Sequence, residues 1–144
     1  MGGVVALTGR CLCGELRFQI SHVPQYMGVC HCKDCQRRSG SAFSVMAGIP
    51  KGQFSLLCGE PKRYRGDTDS DTSAEIGFCS RCGTSIYTRL ANQPEMLFVQ
   101  AGTLDDTSWL EPQFHVWCSQ KQRWVDLDGR RDGVTRSTGS GSMK

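Results

Sequence analysis

Three cysteines occupy six positions in the stretch VCHCKDC, residues 29–35. Two further pairs, Cys11-Leu-Cys13 and Cys79-Ser-Arg-Cys82, lie on either side of it in the chain. Thiolates at such spacings are metal ligands first. Cysteines at i and i+3 across a tight turn point their sulfurs to one side, and Gly83 after the second lets the turn close. Cysteines at i and i+2 on an extended chain share one face, and Gly14 follows that pair in the same way. Cys11, Cys13, Cys79 and Cys82 therefore supply four thiolates from two distant segments, enough for a closed, tetrahedral zinc site. Cys30, Cys32 and Cys35 supply three. Three protein ligands with an open position are the mark of a catalytic or exchangeable zinc, whose fourth ligand is water or a substrate thiolate.

Other arrangements of these residues stay open. Cys58 or Cys118 could fold back to close the second site, or the clusters could pair differently. C-x-C-x-x-C lacks the ferredoxin spacing of an iron–sulfur centre. Nine cysteines, an odd number, suit a disulfide framework poorly. Around the open site, Lys33, Arg37 and Arg38 would offset thiolate charge and attract an anionic ligand, or simply form a solvated basic turn. The small residues of SGSAF (39–43) make a bend with room beside the metal. His31 alternates with its cysteine neighbours, so its side chain points away from their metal. His115 lies among aromatics and reads as structural. Cys58, in an apolar run, reads as a small buried hydrophobe. His31, Tyr87 and a water molecule are the candidates for proton transfer.

The elements that must hold these residues are mostly strands. Leu16, Phe18 and Ile20 alternate with Glu15, Arg17 and Gln19 across 15–21. Further strands are expected over 42–49, 54–59, 74–79, 85–90 and 96–102, about ten residues apart. Gly, Pro, Asn and Asp punctuate them. The expected fold is mainly β, several small antiparallel sheets tied together by a zinc-ribbon-like structural site. The acidic run 67–75 reads as an exposed loop. Residues 1–129 form one domain, and the Gly/Ser-rich stretch 130–144 reads as a flexible polar tail.

Composition narrows the partners. The hydrophobic fraction of 38% includes the nine cysteines. The remaining core is lean, which favours metal cross-links. Seven thiolates on two Zn2+ ions would take the formal charge from +3 to 0, which removes most of the compositional case for nucleic acid. No apolar run is long enough for a transmembrane helix. The first residues lack the basic region of a signal peptide. A cytoplasmic setting, where thiols stay reduced, is the expectation.

At these residues the sequence resembles the glutathione-dependent formaldehyde-activating enzyme family, which also contains centromere protein V. The matching features are GRCLCGELRF (9–18), VCHCKDCQRRSGSAFS (29–44), GFCSRCGTSIY (77–87), VQAGTLDD (99–106) and PQFHVW (112–117) followed by Trp124. The resemblance implies coiled β-sheets held by two zinc ions. It implies a structural zinc on Cys11, Cys13, Cys79 and Cys82, and a catalytic zinc on Cys30, Cys32 and Cys35. The implied activity is that of a carbon–sulfur lyase working in the synthetic direction, joining glutathione or a similar thiol to formaldehyde or a related small carbonyl compound. A zinc-stabilised binding module and a zinc- or redox-sensing protein are the alternatives. The name-giving enzymes are longer and carry a Trp after the third cysteine of the open site, where this chain has QRRSG. It is similar to the generic branch of the family, so glutathione-binding residues are not carried over.

Overall fold

Strand Arg17–Ile20 (β2) follows its side-chain alternation: Arg17 is exposed, while Phe18 and Ile20 are fully buried. The computed structural model describes residues 6–68, 72–127 and 135–136, and most of its elements are strands. β2 sits between Leu7–Arg10 (β1) and Phe54–Cys58 (β5) in a three-stranded antiparallel sheet. β1 can lie close because residue 9 is glycine. A Cβ there would come within 2.6 Å of the Thr103 carbonyl oxygen and strike the Phe18 ring.

The remaining strands are Tyr26–Cys30 (β3), Ser44–Pro50 (β4), Lys62–Asp67 (β6), Ser73–Phe78 (β7), Ser85–Leu90 (β8), Met96–Gln100 (β9), Phe114–Val116 (β10) and Thr135–Arg136 (β11). They join in one sheet in the order β11-β10-β3-β4-β9-β8-β7-β6. Its pairs are antiparallel except at one edge, where β10 runs parallel to both β3 and β11. Apart from β11, the proposed tail lies outside the described residues, as do residues 69–71 of the expected acidic loop. The ends of that loop are not loop at all: Asp67 closes β6, and Ser73–Glu75 open β7.

Register assigns the faces of the large sheet. One face carries Ala47, Ile49, Tyr87, Leu97 and Val99, all buried. Ile49, Tyr87, Leu97 and Val99 pack with Phe18 and Ile20 of the small sheet, and Phe54 links the two sheets. The Phe54 ring stacks on Phe18 at 5.1 Å and meets Tyr87 edge-on at 5.8 Å. The other face is open and lines a cleft of about 960 Å³.

The segment Lys33–Ser39 forms a short α-helix (α1) between β3 and β4. Seven residues are too few for a hydrophobic period, but its end signals are present. The Cys32 sulfur accepts from the Cys35 backbone N–H at 3.3 Å as the N-cap. Asp34 lies in the first turn and Arg37 and Arg38 in the last, which complements the helix dipole. Gly40, at φ 65°, closes the helix with an N–H to the Gln36 carbonyl at 2.8 Å. Among the described residues, no helix is long and apolar enough to cross a membrane.

Candidate metal centres

Two turns bring the four outer cysteines together. Cys11 and Cys13 lie in the β1–β2 turn, Cys79 and Cys82 in the β7–β8 turn. Their four sulfurs lie within 4.8 Å of one another. Cys11 and Cys13 are 3.6 Å apart, and Cys13 and Cys79, 66 positions apart in the chain, are 3.8 Å apart. A tetrahedral zinc with Zn–S bonds of about 2.3 Å places its sulfurs about 3.8 Å apart. Backbone amides aim at the sulfurs: Leu16 N–H donates to Cys11 at 3.3 Å, and Arg81 and Cys82 donate to Cys79 at 3.4 Å. Gly14 at φ 85° and Gly83 at φ 81° give both turns the left-handed residue they need. The Thr84 hydroxyl, 3.2 Å from the Cys82 sulfur, together with nearby backbone amides, holds that thiol down at about 5. Cys11 and Cys79 belong to the main core cluster, so whatever binds here is joined to the core itself.

The second group stands apart from that core. Cys30 ends β3, Cys32 caps α1 and Cys35 lies inside it, with all three sulfurs within 4.8 Å. Cys30 and Cys32 are 3.4 Å apart. They form a small separate cluster with Trp117, Val116 and Met46. Trp117, at φ 58°, turns the chain out of β10, and the ring is buried against the cysteines. Hydrogen bonds from Cys30 and Cys32, and Arg38 alongside, hold the Cys35 thiol down at about 3. The same hydrogen bonding, with burial, pushes Cys30 up. A soft, thiolate-forming donor set at these separations suits zinc at both places.

Among the described residues, neither Cys58 nor Cys118 joins a group of metal-ligating side chains. Cys58 is exposed, not a buried hydrophobe. It lies on β5, an edge strand whose Leu56 and Leu57 are exposed too. Cys118 begins a 3-10 turn after Trp117.

The three sulfurs open into the cleft on the free face of the large sheet. Arg38 is fixed at that junction. Its guanidinium donates to Thr88 Oγ1 at 2.5 Å, Ser44 Oγ at 3.4 Å and Cys35 Sγ at 3.5 Å. Gln100 completes the cradle with its Oε1 turned to Arg38 at 2.7 Å and its Nε2 to Ser44 at 2.9 Å. Arg37 is exposed and also borders the cleft. The basic residues after the cysteines are thus not alike, and the anchor residues Thr88, Ser44 and Gln100 were not apparent in the sequence. Thr88 pairs across the sheet with Phe98 on β9 and with Ile76 on β7. Only that pairing places it near a cysteine more than fifty positions away.

The proton-transfer candidates lie elsewhere. His31 is fully buried, with Nε2 3.0 Å from His115 Nδ1 and its ring against Phe43. Burial, then the charge of His115, pushes it down to about 4. Tyr87 faces the main core, and its hydroxyl lies 3.4 Å from Glu75. Neither side chain lines the cleft, because each alternates with a residue that does. The SGSAF bend does not line it either. The cleft beside the sulfurs is lined instead by the sheet, from Gly28 and Met46 across to Thr88 and Phe98. The basic run 62–65 is partly neutralised, since Arg63 and Arg65 pair with Glu75 at 3.5 and 3.0 Å.

The family model described as "Glutathione-dependent formaldehyde-activating enzyme" matches residues 6–120. A protein of Fusarium vanettenii is 28% identical over 115 residues, covering 76% of this chain and 61% of its own length. One of Halomonas elongata is 26% identical over 129 residues, covering 86% and 82%. One of Podospora anserina is 26% identical, covering 78% and 54%. Each carries the provisional name glutathione-dependent formaldehyde-activating enzyme. The chain thus spans little more than half the length of these fungal relatives. The crystal structure of a Rhodobacter sphaeroides protein superposes with a TM-score of 0.56 at 21% identity, over 73% of this chain and 91% of that one. That likeness is one of fold. With the family model matched across the cysteine clusters and the cleft strands from β1 to β10, the chain belongs to the glutathione-dependent formaldehyde-activating enzyme family.

Proposed function

We propose that the protein is a zinc-dependent carbon–sulfur lyase that joins glutathione, or a similar small thiol, to formaldehyde or a related carbonyl compound in a reducing, cytoplasmic setting. The observation that carries this reading is the three-sulfur group opening into a cleft with a fixed guanidinium at 3.5 Å. In it, Cys11, Cys13, Cys79 and Cys82 hold a structural zinc, while Cys30, Cys32 and Cys35 hold the catalytic one. When bound there, zinc supplies a fourth coordination position and lowers the pKa of a thiol placed in it.

The chain's own residues do the rest. Arg38 offsets the negative charge of the thiolates and keeps N–H donors beside the reacting atoms. As the substrate sulfur attacks the carbonyl carbon, the C–S bond forms and the C=O π pair moves to oxygen. The Arg38 guanidinium stabilises that developing charge and stays charged itself. The thiol proton, lost to solvent on binding, returns from water to the alkoxide. Arg37 and Arg38 give an anionic thiol such as glutathione its counter-charge. The direct test follows adduct formation from thiol and aldehyde with metal-loaded and metal-free protein. Catalysis should need metal.

Two outcomes check the parts of this reading. Metal analysis should give two zinc ions of unequal lability, the one on three cysteines leaving first under mild chelation. One ion, or two lost together, counts against the division. The Arg37→Gln, Arg38→Gln double variant should bind glutathione roughly tenfold or more weakly. An uncharged thiol such as 2-mercaptoethanol should change much less. The difference should narrow in 1 M salt, where the Debye length is about 3 Å.

A further inference from the structure

The cleft is larger and more apolar than a thiol and a one-carbon aldehyde require. A volume of about 960 Å³ lies at the top of the range for sites that enclose drug-sized ligands. Its charged lining among the described residues is Asp34, Arg37, Arg38 and Asp67. Both cations lie on α1, beside the sulfurs. The wall away from them has none, so the carboxylates of a thiol such as glutathione belong at the α1 end.

The far wall has an order that the register makes plain. Phe98, Thr88, Ile76 and Tyr64 are cross-strand neighbours on β9, β8, β7 and β6. Leu90 and Phe78 line the cleft on either side of that row. Phe98, Ile76, Phe78 and Leu90 are half-buried and Tyr64 is exposed. The row begins at the reacting centre, because Arg38 bridges Cys35 and Thr88. An oxygen held by Arg38 therefore stands with the sulfurs on one side and an apolar track on the other.

We propose that the carbonyl substrate carries an apolar arm, laid from Thr88 across Ile76 to Tyr64. This rests on the thiol-addition reading and specifies its second substrate as an aliphatic or aryl-alkyl aldehyde. The chemistry is unchanged: sulfur adds to the carbonyl carbon, and the oxygen takes a proton from water. Two strand spacings from β8 to β6 come to about 9.6 Å. An extended chain advances about 1.2 Å per bond, so the track holds about eight carbons.

S-alkylglutathiones from methyl to decyl, titrated calorimetrically into the zinc-loaded protein, test this without turnover. Binding should tighten by up to about fourfold per added CH2 and level off near eight carbons. Ile76→Thr, which keeps a β-branched residue in the strand, should flatten that dependence. Leu57→Thr, on the exposed strand β5 outside the cleft, should keep it. Equal affinity for the methyl and octyl compounds overturns the apolar arm and leaves the thiol site standing. Failure of every member to bind, methyl included, overturns the apolar arm alone, because an alkylated sulfur is uncharged and the thiolate site is tested with free glutathione. A chain-length dependence that survives Ile76→Thr unchanged also overturns the placement of the arm.

Discussion

Replacing Cys79 with serine is expected to leave a protein that no longer unfolds cooperatively. Cys79 is only 2% exposed and belongs to the main core cluster, and its sulfur is held from several sides. It accepts two backbone N–H groups and faces Cys13 at 3.8 Å. Serine is a poor zinc ligand, so the metal that ties the β1–β2 turn to the β7–β8 turn would be lost. Structural zinc contributes about 10–16 kcal/mol of apparent binding free energy in small domains. The net stability of a domain is about 5–15 kcal/mol. The loss is therefore as large as the whole of the stability, and retained secondary structure without fixed packing is the expected state. Near-ultraviolet circular dichroism should lose its bands while the far-ultraviolet spectrum keeps a β signature. Cys32→Ser should instead release one zinc and keep a sharp melt, because its cluster lies apart from the main core. Equal melting of the two variants would contradict the division into a structural and a reactive site.

Cys35→Ser is expected to reduce adduct formation to the uncatalysed rate with the fold intact. Cys35 is the sulfur that bonds the Arg38 guanidinium and the one of the three whose thiol is held down. Its loss leaves two thiolates, too few to hold an exchangeable zinc, and removes the sulfur that Arg38 bonds. Thiol affinity and activity should disappear together, while one zinc and the thermal melt remain. A Cys35→Ser protein that still accelerates addition would place the chemistry elsewhere.

The cysteine grouping was readable in the sequence because spacing on a strand or tight turn fixes where sulfurs point. Cys11 with Cys13 and Cys79 with Cys82 needed only that the two turns meet. The six strands with clear apolar runs were readable for the same local reason. Four were missed. β1 and β3 contain glycines, Gly9 and Gly28, whose job is to accept a neighbouring ring. β6 (KRYRGD) is polar on both sides because one face pairs with Glu75 and the other borders the cleft. β10 has three residues. The cleft was out of reach for a different reason. It is made by pairing β4 with β9 and β3 with β10, and nothing in Met46 announces that Gln100 lies opposite. Cys58 was misread because an apolar run without alternation says nothing of an exposed edge strand.

The central claim is that the three-cysteine site keeps a position for a substrate thiolate. Cobalt(II) in place of zinc, with glutathione titrated from pH 6 to 9, measures it directly. The expected result is a rise in sulfur-to-cobalt charge-transfer absorption with glutathione. It should saturate at one thiol per protein and tighten with pH until the free thiol ionises, because the bound form is the thiolate. A cobalt spectrum that glutathione leaves unchanged at every pH, with a fourth protein sulfur already on the metal, would contradict the claim. The domain would then be better described as a metal-stabilised binding module.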